Sequence, residues 1–444
     1  FLILKLNGDL NTAHLSIADS LPVQSPQGIL KFNQFDLRGR FINALQKNDI
    51  ALKGMVSSTD LQFQMDQRNY RLQDFTLQFK EDQIELSQAT ALLNEQKIQF
   101  DGKLSTIDKF FNPTPELNLF ANIKANQLDA EKLEQWWSKE QVQKNEAVNL
   151  LKLRGQLNIN IDQLAYKKLR GNKLSAQIDI SSLEEQKFLV DLELMEGHAR
   201  LRGQTLQNCT LCLEMDYQVD SIHIKDLFNQ MNQFDQNALT AENLEGKLSS
   251  NGTLKFKDWS ALSQAGEIQG DIYMQIKEGA LIDFQPMESL SKFIKLEDLR
   301  NIQFHTLENQ FEIRSGKINI PEMLILSNAF TLALSGEHYF DSRIDYLIKL
   351  NIYNVLGNKF RLRKNEVPDA EMVDESDFNF YLRMQGTTDE PQISFDRQGV
   401  KDRLQQQRLD WQKLRDPNKR DYSIRQEKQE WETEEELETM EWEE

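Results

Sequence analysis

Apolar and polar residues alternate with a period of two from one end of this chain to the other, and that pattern limits the fold more than any other feature. Leu61, Phe63 and Met65 alternate with Gln62, Gln64 and Asp66, and Phe75, Leu77 and Phe79 with Thr76, Gln78 and Lys80. Leu117, Leu119, Ala121 and Ile123 repeat the pattern, as do Leu157, Ile159 and Ile161, then Leu174, Ala176, Ile178 and Ile180, then Phe188, Val190, Leu192 and Leu194. Successive side chains of a strand point to opposite faces, so each run predicts a half-buried strand with one apolar face. Glycine-containing pairs such as Asn7-Gly8, Asp101-Gly102, Glu196-Gly197 and Asn251-Gly252 read as hairpin turns between the runs. Together they predict roughly twenty strands.

Composition decides how those strands are arranged. Only 39% of the 444 residues are hydrophobic, yet 25 are Phe, so apolar surface comes in large units dispersed through a polar chain. That suits sheets with one apolar face better than several compact cores. The predicted fold is mainly β: an elongated, curled antiparallel sheet, groove-like, built of repeated hairpins. A few short helices and a charged, helical to disordered C-terminal tail complete it. Three regions are expected: a β-rich part over 1–150, a second β-rich domain over 151–395, and the tail over 396–444.

Helical periodicity is brief. Asp129 is placed to cap a helix with Leu133, Trp136 and Trp137 on one face, and 224–234 puts Leu227, Phe228, Met231 and Phe234 on one stripe. A third helix is expected from Pro286, with Met287, Leu290, Phe293 and Ile294 as its apolar side. Each reads as a cover for the end of a sheet. Val400, Leu404, Trp411 and Leu414 mark a basic helix within 396–425, where nine basic side chains face five acidic ones. That helix reads as solvated, with contact to anionic lipid as the alternative.

The net charge is −18, and about half of it sits in 427–444, where ten glutamates meet one lysine. Nucleic acid is therefore not an expected partner, because phosphate binding needs clustered Lys and Arg. The longest apolar runs, Phe1 to Leu4 and Met323 to Leu326, are far below the roughly 20 residues of a membrane-spanning helix. The start at Phe1 reads as that of a fragment or trimmed chain.

No reacting constellation is visible. The five histidines, at 14, 198, 223, 305 and 338, share no ligand spacing, and no nucleophile elbow, phosphate loop or zinc-protease motif occurs. Neither an enzyme, a cofactor nor a metal is expected. Cys209 and Cys212 form a C-x-x-C, but Leu213, Met215, Tyr217 and Val219 continue an alternating strand from Leu211. A redox pair wants a helix N-terminus and a zinc site a second ligand pair, so a structural role is expected.

One stretch carries more than periodicity. Gly266-Glu267-Ile268-Gln269-Gly270-Asp271-Ile272 is followed by Gly279-Ala280-Leu281-Ile282, the helix with Leu290 and Phe293, and a returning strand with Phe304, Phe311 and Ile313. Ser315-Gly316-Lys317-Ile318, Leu334-Ser335-Gly336 and Ile344-Asp345-Tyr346 close it. Upstream stand Ile161 to Tyr166 with Leu174, and Ile224 to Phe228 ahead of Leu244 to Leu248. In their order these motifs resemble the C-terminal region of the AsmA family, over roughly residues 150 to 356.

The resemblance implies a periplasmic protein of a double-membraned bacterium, anchored to the inner membrane by a segment absent from this chain. It implies a groove that binds or conducts phospholipid or another acyl lipid between the two membranes in support of outer-membrane biogenesis. Outer-membrane assembly factors are the other implied partners. The residues expected to touch acyl chains are Ile272, Met274, Ile276, Leu332, Leu334, Ile348 and Leu350, with Leu290 and Phe293 of the Pro286 helix as plug or gate. The competing reading is a β-rich scaffold that assists outer-membrane protein assembly, in which the same side chains form a closed core.

Overall fold

The computed structural model describes residues 2–12, 23–40, 49–65, 68–106, 116–137, 152–182, 185–206, 212–235, 239–257, 268–292, 295–351, 379–388, 390–395 and 402. Twenty strands form a single sheet. The first seven are β1 (Leu2–Asn11), β2 (Val23–Arg40), β3 (Asp49–Met65), β4 (Arg68–Glu81), β5 (Gln83–Leu93), β6 (Gln96–Ser105) and β7 (Glu116–Asp129). Next come β8 (Lys152–Tyr166), β9 (Leu169–Ile180), β10 (Gln186–Leu194), β11 (Gly197–Thr205), β12 (Leu213–His223), β13 (Leu244–Phe256) and β14 (Ile268–Ile282). The last six are β15 (Asn301–Arg314), β16 (Lys317–Leu326), β17 (Thr331–Tyr339), β18 (Arg343–Asn351), β19 (Asn379–Thr387) and β20 (Pro391–Phe395).

Each strand pairs with its neighbours in sequence, antiparallel except at one place. β7 and β8 run parallel, from Glu116↔Lys152 to Asp129↔Ala165. Parallel neighbours need a long crossover, and residues 130–151 supply it. The boundary expected near residue 150 thus falls on this junction, across which the sheet continues unbroken.

Nineteen spacings of ~4.8 Å give a sheet about 90 Å long. At roughly 20° of twist per step, its strand direction turns by about a full revolution. Gly155 sits at φ +141°, and a β-carbon there would collide with the Leu119 carbonyl; Gly336, at φ +146°, would collide with that of Asp345. Both lie on the apolar face, paired with Leu119 and Tyr346, at positions whose φ and close backbone approach favour glycine.

The same constraint corrects three expected turns. Asn7-Gly8, Asp101-Gly102 and Asn251-Gly252 lie inside strands, not between them, whereas Glu196-Gly197 does mark a hairpin. The real turns use positive φ at residues such as Asn94, Glu95, Met195 and Glu196.

The three α-helices among the described residues stand at one long edge of the sheet: α1 (Ala130–Trp137) after β7, α2 (Ile224–Gln230) after β12 and α3 (Leu296–Leu299) before β15. The Asp129 carboxylate accepts from the Lys132 amide at 3.2 Å, capping α1 as expected. α2 is shorter than the predicted 224–234: it ends at Gln230 with Met231 as its C-cap, and a 3-10 turn (Asn232–Asp235) follows, with Asn232 and Gln233 at positive φ. The segment from Pro286 belongs to a 3-10 helix (Gln285–Lys292), not an α-helix. The opposite edge carries the loop between β11 and β12. There β12 starts at Leu213, just after Cys212, and the rest of the strand expected through the C-x-x-C lies outside the described residues. Cys212 is disulfide-bonded, and the chain's one other cysteine is Cys209, which is outside the described residues. The charged region over 396–444, apart from 402, is outside them as well.

Candidate functional site: an apolar face crossing the whole sheet

Cross-strand partners share a face of a sheet, so the register can be followed from one edge strand to the other. One row starts Gly8, Phe32, Val56, Leu77, Leu86, Gly102, Ala121. It continues Leu157, Ile178, Phe188, Gly203, Met215, Leu254, Gly270. It ends Ile313, Ile318, His338, Ile344, Gly386, Pro391. Twenty positions on twenty strands hold no Asp, Glu, Lys or Arg. A second row beside it runs Ala89, Phe100, Ile123, Ile159, Ala176, Val190, Leu201, Tyr217, Gly252, Ile272, Phe311.

The few polar groups on this face are neutral. His338 Nδ1 lies 2.8 Å from the Tyr346 hydroxyl, and burial lowers the imidazole below its ordinary pKa. Burial pushes the Tyr346 phenol up to about 12. The Tyr217 hydroxyl lies 2.8 Å from Ser250 Oγ, which itself donates to the Tyr273 carbonyl at 2.8 Å. Desolvation raises Tyr217 to about 12 despite that bond. An uncharged lining is what hydrocarbon requires, since an unpaired charge facing it would be strongly unfavourable.

The other face is a polar ladder. Asn158 donates to Asn122 at 3.0 Å and Asn122 to Asp101 at 2.7 Å. Arg383 grips Asp345 with two bonds at 2.8 and 2.7 Å. Burial works to raise Glu337, but hydrogen bonds from Lys317 and Tyr339 prevail and hold it below the ordinary carboxylate range.

How the apolar face is covered changes along the sheet. Among the described residues, every contiguous buried cluster on this face lies between Leu169 and Ile393; a fourth, Leu347 against Tyr381, lies on the opposite face. Leu227 and Phe228 of α2 pack on Ile222, Leu248 and Ile276. Leu299 of α3, Met287, Ala329 and Phe330 close over Leu332, Ile348, Leu350 and Leu382. Farther upstream Leu77, Leu86, Leu157 and Ile159 stay half-buried although they point to the apolar side, interspersed with buried Val56, Phe75, Ala89 and Ile161.

The residues singled out from sequence divide accordingly. Leu332 pairs with Leu350 and Leu334 with Ile348 in the helix-covered cluster. Leu350 is 0% exposed, so protein groups already cover it. Ile276 is buried and Met274 packs beside it under α2; Ile272 is half-buried in the second row. Leu290 belongs to the 3-10 helix, with its side chain not described, and Phe293 is outside the described residues. The half-buried lining outside the clusters, Leu77, Leu86, Leu157 and Ile159, was visible in sequence only as alternation, which does not distinguish a covered strand from an uncovered one.

Among the described residues no group of three or more His, Cys, Asp or Glu side chains could hold a metal ion. No helix of these residues is long and apolar enough to cross a membrane. Comparisons with known protein families, with curated proteins and with solved structures find no match for the chain.

Proposed function

We propose that the protein carries acyl lipid along the apolar face of its sheet, as a member of an AsmA-like group of envelope proteins. The observation that bears most weight is the uncharged row from Gly8 to Pro391, because no Asp, Glu, Lys or Arg along it would face a lipid's hydrocarbon. Taking the roughly thirty methylenes of a phospholipid into water costs on the order of 25 kcal/mol, at about 0.8 kcal/mol each. An apolar face along a sheet of about 90 Å offsets most of that cost over the stretch that the helices leave uncovered. The reading assigns no chemical step to any residue.

The disulfide at Cys212 supports a location outside the reducing cytosol. In this reading the protein works in the periplasm, anchored to the inner membrane and serving outer-membrane biogenesis. Mass spectrometry of lipids extracted from gently purified protein tests the proposal: co-purifying phospholipid supports it, and lipid-free protein argues against it. A β-rich scaffold for outer-membrane protein assembly is the second reading, favoured by the covered clusters of β13–β19.

A further inference from the structure

On the polar face, a cavity of about 580 Å³ opens at the helical edge where the β5–β6 turn, the end of β7, α1 and the start of β9 meet. Its wall includes four basic side chains, Lys97, Lys124, Lys132 and Arg170, against two acidic ones, Glu95 and Asp129. Four minus two leaves a local charge of +2, in a chain whose net charge is −18.

Several of the surrounding groups are already committed. Asp129 Oδ2 lies 4.0 Å from Lys132 Nζ, and its backbone exchanges hydrogen bonds with the Gln96 amide at 2.5 and 3.0 Å. Arg170 donates to the carbonyls of Lys167 and Leu169. Lys97 and Lys124, by contrast, have no hydrogen-bond or ion-pair partner among the described residues. Lys124 is the register partner of Gln99, so Lys97, two residues from Gln99 on the same face, is its diagonal neighbour. Two like charges set side by side on a sheet repel, and a bound anion converts that repulsion into attraction from both sides. Lysine binds phosphate as a compact point charge with three donors. The Gln99 amide between them is uncommitted and supplies a neutral donor.

We propose that this cavity binds a phosphate group between Lys97 and Lys124. The chemistry is that of a phosphate ester or free phosphate and is independent of the lipid path, which lies on the opposite face. The source is either a soluble phosphate compound or the headgroup of an anionic lipid at a membrane surface.

The test uses the full chain at low ionic strength with four probes: inorganic phosphate, glycerol phosphate, phosphatidylglycerol vesicles and phosphatidylcholine vesicles. Lys97→Gln/Lys124→Gln is compared with a charge-matched control, Lys31→Gln/Lys103→Gln, whose lysines lie outside the cavity. Saturable binding of a phosphate probe or of phosphatidylglycerol vesicles, weakened about tenfold or more in the cavity variant only, is the expected result. Binding of the soluble probes identifies a soluble ligand; binding of the anionic vesicles alone identifies a headgroup. Absence of binding by every anionic probe, or equal weakening in the control, overturns the proposal. Lysine acetylation of the unaltered protein gives a second readout: bound phosphate is expected to protect Lys97 and Lys124, and unchanged labelling of both contradicts the site.

Discussion

Leu157→Glu places a carboxylate in the central row where the apolar face is only half-covered. The expected loss of stability is small. Full burial of a leucine contributes about 1.5–3 kcal/mol, and half-burial about half of that, while the new carboxylate keeps contact with water. A cost of about 0.8–1.5 kcal/mol follows. Were Leu157 part of a closed core, the same substitution would bury an unpaired charge, and the cost would exceed about 4 kcal/mol. The effect on a carried lipid runs the other way. Losing contact with three or four methylenes, at about 0.8 kcal/mol each, removes ~2.4–3.2 kcal/mol, or about 50- to 200-fold in occupancy. Urea unfolding gives the first quantity and native mass spectrometry of bound phospholipid the second. Asn160→Glu, on the exposed face of the same strand, is the control and leaves occupancy unchanged. Unfolding costs above 4 kcal/mol for Leu157→Glu, or equal occupancy in the two variants, would refute the reasoning.

Further expectations concern the covered end, the coil and pH. Leu350→Ala, at a position 0% exposed under the helices, is expected to cost 2–5 kcal/mol in urea unfolding; a cost below 1 kcal/mol contradicts a closed cluster there. Gly155→Val forces a β-branched residue to φ +141° against the Leu119 carbonyl, and about 3 kcal/mol or more is lost; a neutral result by thermal unfolding would mean the strand does not bend there. His338 has its folded pKa below the ordinary 6.5 because of burial, so the unfolded chain takes up the proton first as pH falls. Stability from this group is therefore complete above about pH 6.5 and is lost as pH drops through the folded value. His338→Gln should flatten the urea midpoint between pH 7 and 5, and an unaltered slope argues against a buried neutral imidazole.

Most of the fold was legible because a period of two has one structural meaning. The alternation at Leu117–Ile123 and Leu157–Ile161 placed strands where they are found, and Asp129 marked its helix through ordinary capping chemistry. Three glycine pairs misled because the same residue serves two purposes. Gly102 and Gly252 are glycine because a neighbouring strand leaves no room for a β-carbon, not because the chain turns. The parallel β7–β8 pair was hidden because alternation says nothing of strand direction. The site was legible as a face but not as a place: Leu350 and Ile159 alternate alike, and only the helices packed over β13–β19 make one a core residue and leave the other half-buried.

Photocrosslinking in cells tests lipid carriage most directly. A photoreactive phenylalanine at Ile159 is expected to form phospholipid adducts, and at Asn160, on the polar face, none. Adducts at neither position, or equally at both, would contradict a lipid path along the apolar face.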